Sequence, residues 1–137
     1  MDNERIHKPA EEWILQAEYD IETAVFMLNA GRYIYAVFMA HLALEKLFKG
    51  LYVYYLRQNP PRTHNLILLF ERIETVYKLK LTDEENEFIE FLNEKSVPSR
   101  YPDVLVKVLE EFNKNETERL VNKAIGIIKC LKDQLKK

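Results

Sequence analysis

Several side chains of this sequence have chemistry to offer: three histidines, a string of basic residues along one predicted helix, and two carboxylates set among apolar neighbours. Lys46, Lys49, Val53 and Arg57 follow one another at three, four and four residues, so they share a helix face, and Arg62 and His64 come just past Pro60-Pro61. Cationic heads attract anionic oxygens, and Tyr52 nearby offers a plane on which a base can stack. Lys46, Lys49, Arg57 and Arg62, joined by Arg100, therefore form a candidate site for phosphate-bearing ligands. The plainer reading is that a charged strip on an amphipathic helix is its wet side.

His64 has two readings, a proton-transfer group brought in from elsewhere in the sequence or a local hydrogen-bonding residue at the start of the third helix. His41 lies beside an apolar stripe, four residues before Glu45, which suits a hydrogen-bonded packing or interface residue. His7 sits in the terminal arm. Three scattered histidines do not make a metal site, and Cys130, the only cysteine, has no partner within the chain, so neither metal, disulfide nor cofactor is expected. Between Ile127 or Ile128 and Leu131, Cys130 reads as a small core residue. Asp20 and Glu45 are each expected to be partly buried against a cation, with Arg100 as a bidentate partner for one of them. The functional alternative has two copies of Arg100 meeting in the cleft of a dimer. Tyr52, Tyr54 and Tyr55 wind around their helix, so only some can be buried.

These residues need elements to position them, and the apolar spacing supplies helices. Trp13, Ala17, Ile21, Ala24 and Leu28 mark a first helix that starts behind Pro9 and stops near Asn29-Ala30-Gly31. Tyr33, Val37, Ala40, Leu44, Leu47 and Leu51 mark a second, running to about Leu56 before Asn59-Pro60-Pro61. A third begins near Thr63, with Leu66, Leu69, Ile73 and Val76 on one face. Thr82-Asp83-Glu84-Glu85 fits a capping box for a fourth, and Asn115-Glu116-Thr117-Glu118 fits another for the last, over about 116–136. Pro98 and Pro102 make 96–103 a loop, and 104–112 reads as either a short helix or extended chain. The expected fold is all-α, a single antiparallel up-and-down bundle of four to five helices over 1–137.

Composition narrows the function classes. With 47% hydrophobic residues, 137 residues can enclose a core without staples. Twenty Lys and Arg against 22 Asp and Glu, net charge -2, exclude a surface that binds polyanions everywhere and leave room for a local basic site. No apolar run approaches the roughly 20 residues that span a bilayer, and a cytoplasmic protein without a membrane segment is expected. Sixteen aromatic residues are more than one small bundle readily hides, which points to a homodimer.

The pattern Trp13-x3-Ala17-x2-Asp20-Ile21-x2-Ala24 resembles the opening of a HEPN (higher eukaryote and prokaryote nucleotide-binding) domain. Gly31-Arg32-Tyr33 followed by Ala36-x3-Ala40-x2-Ala43-Leu44-Glu45-Lys46-x2-Lys49-Gly50 is similar to the family's small-residue and Glu-Lys signature. Thr63-His64-Asn65-Leu66 and Arg100-Tyr101-Pro102-Asp103 resemble two further elements, in family order, over about residues 10–110. The resemblance implies a dimerising helical bundle, paired with a small nucleotidyltransferase in a toxin-antitoxin-like module. Ribonuclease members of the family place a histidine a few residues after the arginine, whereas Arg100 here is followed by Tyr101, Pro102, Asp103, Val104, Leu105, Val106 and Lys107. The expectation is thus a noncatalytic homodimeric partner that binds nucleotide or RNA phosphates. The alternatives are a divergent metal-independent ribonuclease using Arg100 with His64 or Asp103, and a helical adaptor without ligand.

Overall fold

The computed structural model describes residues 5–77, 79–95 and 111–135, and within them the chain is five helices with no strand. They are α1 (Ala10–Asn29), α2 (Tyr33–Leu56), α3 (Leu66–Val76), α4 (Asp83–Lys95) and α5 (Lys114–Leu135). The sequence at 96–110, including Arg100, Asp103 and most of the 104–112 segment, lies outside the described residues. Phe112, at the end of that segment, is buried.

α2 is the central element because it is apolar nearly all round. Thirteen of its 24 residues are buried, and it packs against α1, α3 and α5. α1 and α2 meet along a seam of small residues: Ala17 and Ala24 on one side, Ala36, Ala40 and Ala43 on the other, all fully buried. Gly50 extends it, since a Cβ there would come within 3.0 Å of both Ile14 Cγ1 and Trp13 Cβ. Small side chains let the two backbones approach closely, and the chain reverses between them in residues 30–32. Gly31, at φ +78, donates its N–H to Leu28 O, and Arg32 donates to Met27 O. That paired closure needs a left-handed residue, which glycine adopts at little cost.

The capping box at Thr82 forms as expected, with Glu85 N–H donating to Thr82 Oγ1 at 3.0 Å and Thr82 N–H to Glu85 Oε1 at 2.9 Å. Two boundaries differ from the sequence reading. α3 starts at Leu66 rather than Thr63, because Asn65 is the cap and accepts from Leu68 N–H. α5 is capped by Asn113, whose Oδ1 accepts from Glu116 N–H, so the box drawn on Asn115 does not form and helix begins two residues earlier. Each time an asparagine took the role, as its side chain caps well without a reciprocal glutamate.

The core joins all five helices, from Leu44, Leu47, Phe48 and Leu51 of α2 to Leu66, Leu69 and Ile73 of α3, Leu92 of α4 and Ile127 and Leu131 of α5. Lys132–Glu18 and Lys123–Glu84 ion pairs tie α5 to α1 and to α4. No helix among the described residues is long and apolar enough to cross a membrane.

Candidate functional site

The polar centre of the molecule is built where α2 passes the turn that leads into α3. Pro60-Pro61 ends any helical continuation, and Thr63-His64-Asn65-Leu66 then makes a fixed corner. Thr63 Oγ1 accepts from Asn65 N–H at 3.0 Å, and Asn65 Oδ1 accepts from Leu68 N–H at 3.1 Å. From α4, Asn93 Oδ1 accepts Leu66 N–H at 2.8 Å while its Nδ2 donates to Asn65 Oδ1 at 3.2 Å. The corner is thereby held from both sides, and His64 stands on it.

His64 does not bond locally. Its Nδ1 lies 2.9 Å from Oε1 of Glu45, 19 residues away on α2. The Glu45 side chain is 5% exposed and that of His64 54%. A carboxylate only accepts, so Nδ1 carries the proton, and in the neutral ring Nε2 is left as a bare lone pair on a half-exposed group. The second Glu45 oxygen accepts from Lys49 Nζ at 2.9 Å. Behind them, fully buried His41 places Nε2 3.0 Å from the backbone oxygen of His64 and 3.8 Å from Glu45 Oε1. Because a carbonyl accepts, that nitrogen is the donor. Burial holds the His41 imidazole below its ordinary pKa of 6.5, against the opposing pull of the His64 carbonyl, Glu45 and the Leu92 backbone.

The strip of cations is rearranged by folding. Lys46 Nζ lies 2.8 Å from Asp20 Oδ2 on α1, a charge contact in which that oxygen receives no well-aligned hydrogen bond. Lys49 is paired with Glu45 and also faces the Trp13 ring, 5.6 Å from its centroid, above which Lys8 sits at 3.9 Å. Neither lysine is a wet-face residue. Both are ends of largely buried pairs, with Val53 buried beyond them. Arg57 closes α2 in the left-handed conformation at φ 56, so it leaves the register on which the strip was drawn. Arg57 and Arg62 are exposed, without a charged partner among the described residues.

Other sequence expectations change as well. Asp20 and Glu45 are buried, and among the described residues their cationic partners are Lys46 and Lys49, while Arg100 lies outside the described residues. Tyr52 is buried at 3% exposure with its hydroxyl 3.4 Å from Arg72, so its ring offers no stacking plane; Tyr54 and Tyr55 lie further out in an edge-to-face pair. Cys130 is exposed on α5, where its sulfur accepts from Gln134, because its position turns away from the face that buries Ile127, Ile128 and Leu131. The sequence reading missed Asn93 and the His64–Glu45 contact. No local spacing signals a 19-residue pairing across a double proline.

Comparison with known proteins agrees with this architecture. The HEPN-domain family model matches residues 10–134. A curated relative, the putative toxin MJ1304 of Methanocaldococcus jannaschii, is 29% identical over 140 residues, covering 94% of this chain and 90% of its own. Among solved structures, TT1696 of Thermus thermophilus superimposes with a TM-score of 0.75 over 90% of this chain and 96% of its own; at 24% identity the likeness is one of fold. The archaeal HEPN homologue ST0689 gives a TM-score of 0.69 at 30% identity, over 93% of this chain and 98% of its own. With the family model reaching across all five helices and the small-residue seam, Glu-Lys pair and Thr-His corner in their places, the chain belongs to the HEPN-domain family.

Proposed function

We propose that this HEPN protein is the toxin-type component of a two-component toxin-antitoxin-like module, and that it acts on RNA by metal-independent cleavage with His64 as the proton-transfer group. The observation that carries this reading is the half-exposed His64 imidazole oriented through Nδ1 by the buried Glu45 carboxylate. A base needs a lone pair facing its substrate and a fixed tautomer, and a carboxylate-backed histidine meets both by geometry. Nε2 would take the 2′-hydroxyl proton, the 2′-oxygen would bond to phosphorus as the bond to the 5′-oxygen breaks, and that oxygen would take a proton from solvent. Products would be a 2′,3′-cyclic phosphate and a free 5′-hydroxyl. Arg62, exposed two residues before His64 and without a charged partner among the described residues, is the cation we assign to attracting the phosphate, with Arg100 the other candidate from sequence. The name of the Methanocaldococcus jannaschii relative, a putative toxin, is in keeping with this role.

A second reading, the noncatalytic homodimer held by a small nucleotidyltransferase, is favoured by a different observation. Leu15, Tyr19 and Phe26 of α1 are 60%, 71% and 73% exposed and recur at four and seven residues, an apolar line on the outer face of the bundle. The two readings are compatible in one module but differ in what His64 does. Expressing the wild-type chain and His64→Ala in a bacterial host separates them. Growth arrest by the wild type and none by the variant, at equal folded protein, supports the catalytic reading; equal arrest, or arrest by neither, sinks it.

A further inference from the structure

We propose that His41 is the positioning residue of this site: its Nε2–H holds the His64 backbone carbonyl and so sets the pose of the His64 ring against Glu45. This deepens the reading of His64 as the proton-transfer group and rests on it for its consequence in activity, though not for its consequence in geometry.

Three contacts carry the inference. The first is the 3.0 Å approach of His41 Nε2 to His64 O, which pins the backbone of the very residue whose ring must be aimed. The second is the 3.8 Å separation of the same nitrogen from Glu45 Oε1, the oxygen that His64 Nδ1 also uses. His41, Glu45 and His64 thus form a closed triangle in which the carboxylate fixes the ring and the buried imidazole fixes the chain that bears it. The third is the backbone of Leu92 on α4, which also interacts with the His41 ring and lies next to Asn93, which caps α3 from the other side. The groups facing His41 are therefore Glu45 on its own helix, His64 on the connection, and the α4 backbone, with Lys49 on the far oxygen of Glu45.

Packing alone does not call for a histidine here. Position 41 has no exposure, and an apolar side chain would fill the space without a polar group to satisfy. What an apolar replacement cannot do is donate to the His64 carbonyl. Without that bond the backbone of His64 loses its tie to α2, leaving the Thr63, Asn65 and Asn93 side-chain bonds at the α3 end of the corner, and the His64 ring is free to leave Glu45. A neutral imidazole in water favours the proton on Nε2, so a released His64 would present a donor to the substrate where the bare nitrogen is needed.

The experiment uses the full chain, folded as judged by circular dichroism, with nitrogen-15-labelled histidine. The His64 tautomer is read by NMR in wild type, His41→Gln, His41→Asn and His41→Leu. Gln has the reach to donate to His64 O; Asn, one methylene shorter, does not and serves should the leucine variant fail to fold. Expected is an Nδ1–H tautomer in wild type and His41→Gln, and a shift towards Nε2–H in His41→Asn and His41→Leu. Turnover of single-stranded RNA is expected to follow it, with kcat reduced by up to about 100-fold and KM little changed in the last two. An unchanged tautomer in His41→Asn or His41→Leu, or a shifted one in His41→Gln, overturns the proposal. If no variant, wild type included, cleaves RNA, the proposed function falls while the tautomer still decides whether His41 positions His64.

Discussion

Glu45 and His64 are joined by a 2.9 Å hydrogen bond between a carboxylate that water barely reaches and an imidazole that is half in solvent. Lys49 keeps the other carboxylate oxygen occupied at 2.9 Å, so burying the charge is compensated on both sides. The arrangement makes α2 a rigid support for a residue on a connecting corner, and it ties the stability of the bundle to the chemistry proposed for it.

The first expectation concerns pH. His41 titrates below its ordinary value in the folded protein, so the unfolded chain binds the extra proton first as pH falls. Its contribution to stability is full above about 6.5 and is lost progressively as pH drops from there through the lowered folded value. Urea midpoints should therefore fall between pH 7.5 and 5.5, and less steeply in His41→Gln, which does not titrate. Parallel curves for the two proteins would show that His41 is not the sensor.

Asp20–Lys46 provides a stability test away from the site. Removing the ammonium by Lys46→Ala strands a carboxylate that is 7% exposed, and the cost should sit at the lower end of the roughly 3–5 kcal/mol typical of breaking a buried pair, because Lys46 itself is partly in water. Adding Asp20→Asn should recover part of it. A double-mutant cycle with no coupling would mean the pair contributes little.

Much of this architecture is legible in the sequence, for reasons that particular residues make plain. The three- and four-residue spacings locate all five helices, Gly31 ends α1, and the Thr82 box starts α4, because each is a local signal read within one or two turns. Gly50 is legible only as a small residue in a row of small residues; that the α1 side chains of Ile14 and Trp13 leave no room for a Cβ there is a tertiary fact. The site is less so. Lys46 and Lys49 look like a cationic strip along α2, but their partners are settled by folding, Asp20 from another helix and Glu45 from the same one. His64 finds Glu45 only once the double proline has turned the chain back. Cys130 illustrates the same limit on α5, where neighbours in sequence suggest core and the helix phase places it outside.

Arg62, part of the basic site read from the sequence, is exposed and without a charged partner among the described residues. Replacing it with alanine should weaken binding of single-stranded RNA and lower the dependence of log affinity on log salt by about one contact. Lys46→Ala, at low denaturant where it stays folded, should leave that slope unchanged, since its charge is already matched by Asp20. Fluorescence titrations at several salt concentrations read both.

The exposed line of Leu15, Tyr19 and Phe26 is the expected seat of self-association. Sedimentation at micromolar concentration should find a dimer for the wild type and a monomer for Tyr19→Lys with Phe26→Lys, both folded. A monomeric wild type would leave the line to a different protein, and a dimeric double variant would place the interface elsewhere.

The most direct measurement is cleavage of a defined single-stranded RNA by the purified protein in excess EDTA, comparing wild type with His64→Ala and Glu45→Gln. Cleavage by the wild type yielding 2′,3′-cyclic phosphate ends, lowered by about 10²–10⁴-fold in His64→Ala and by a smaller factor in Glu45→Gln, is the expected result. Cleavage that persists undiminished in His64→Ala, or RNA left intact by a wild-type protein that binds it, would contradict the assignment of His64 as the proton-transfer group.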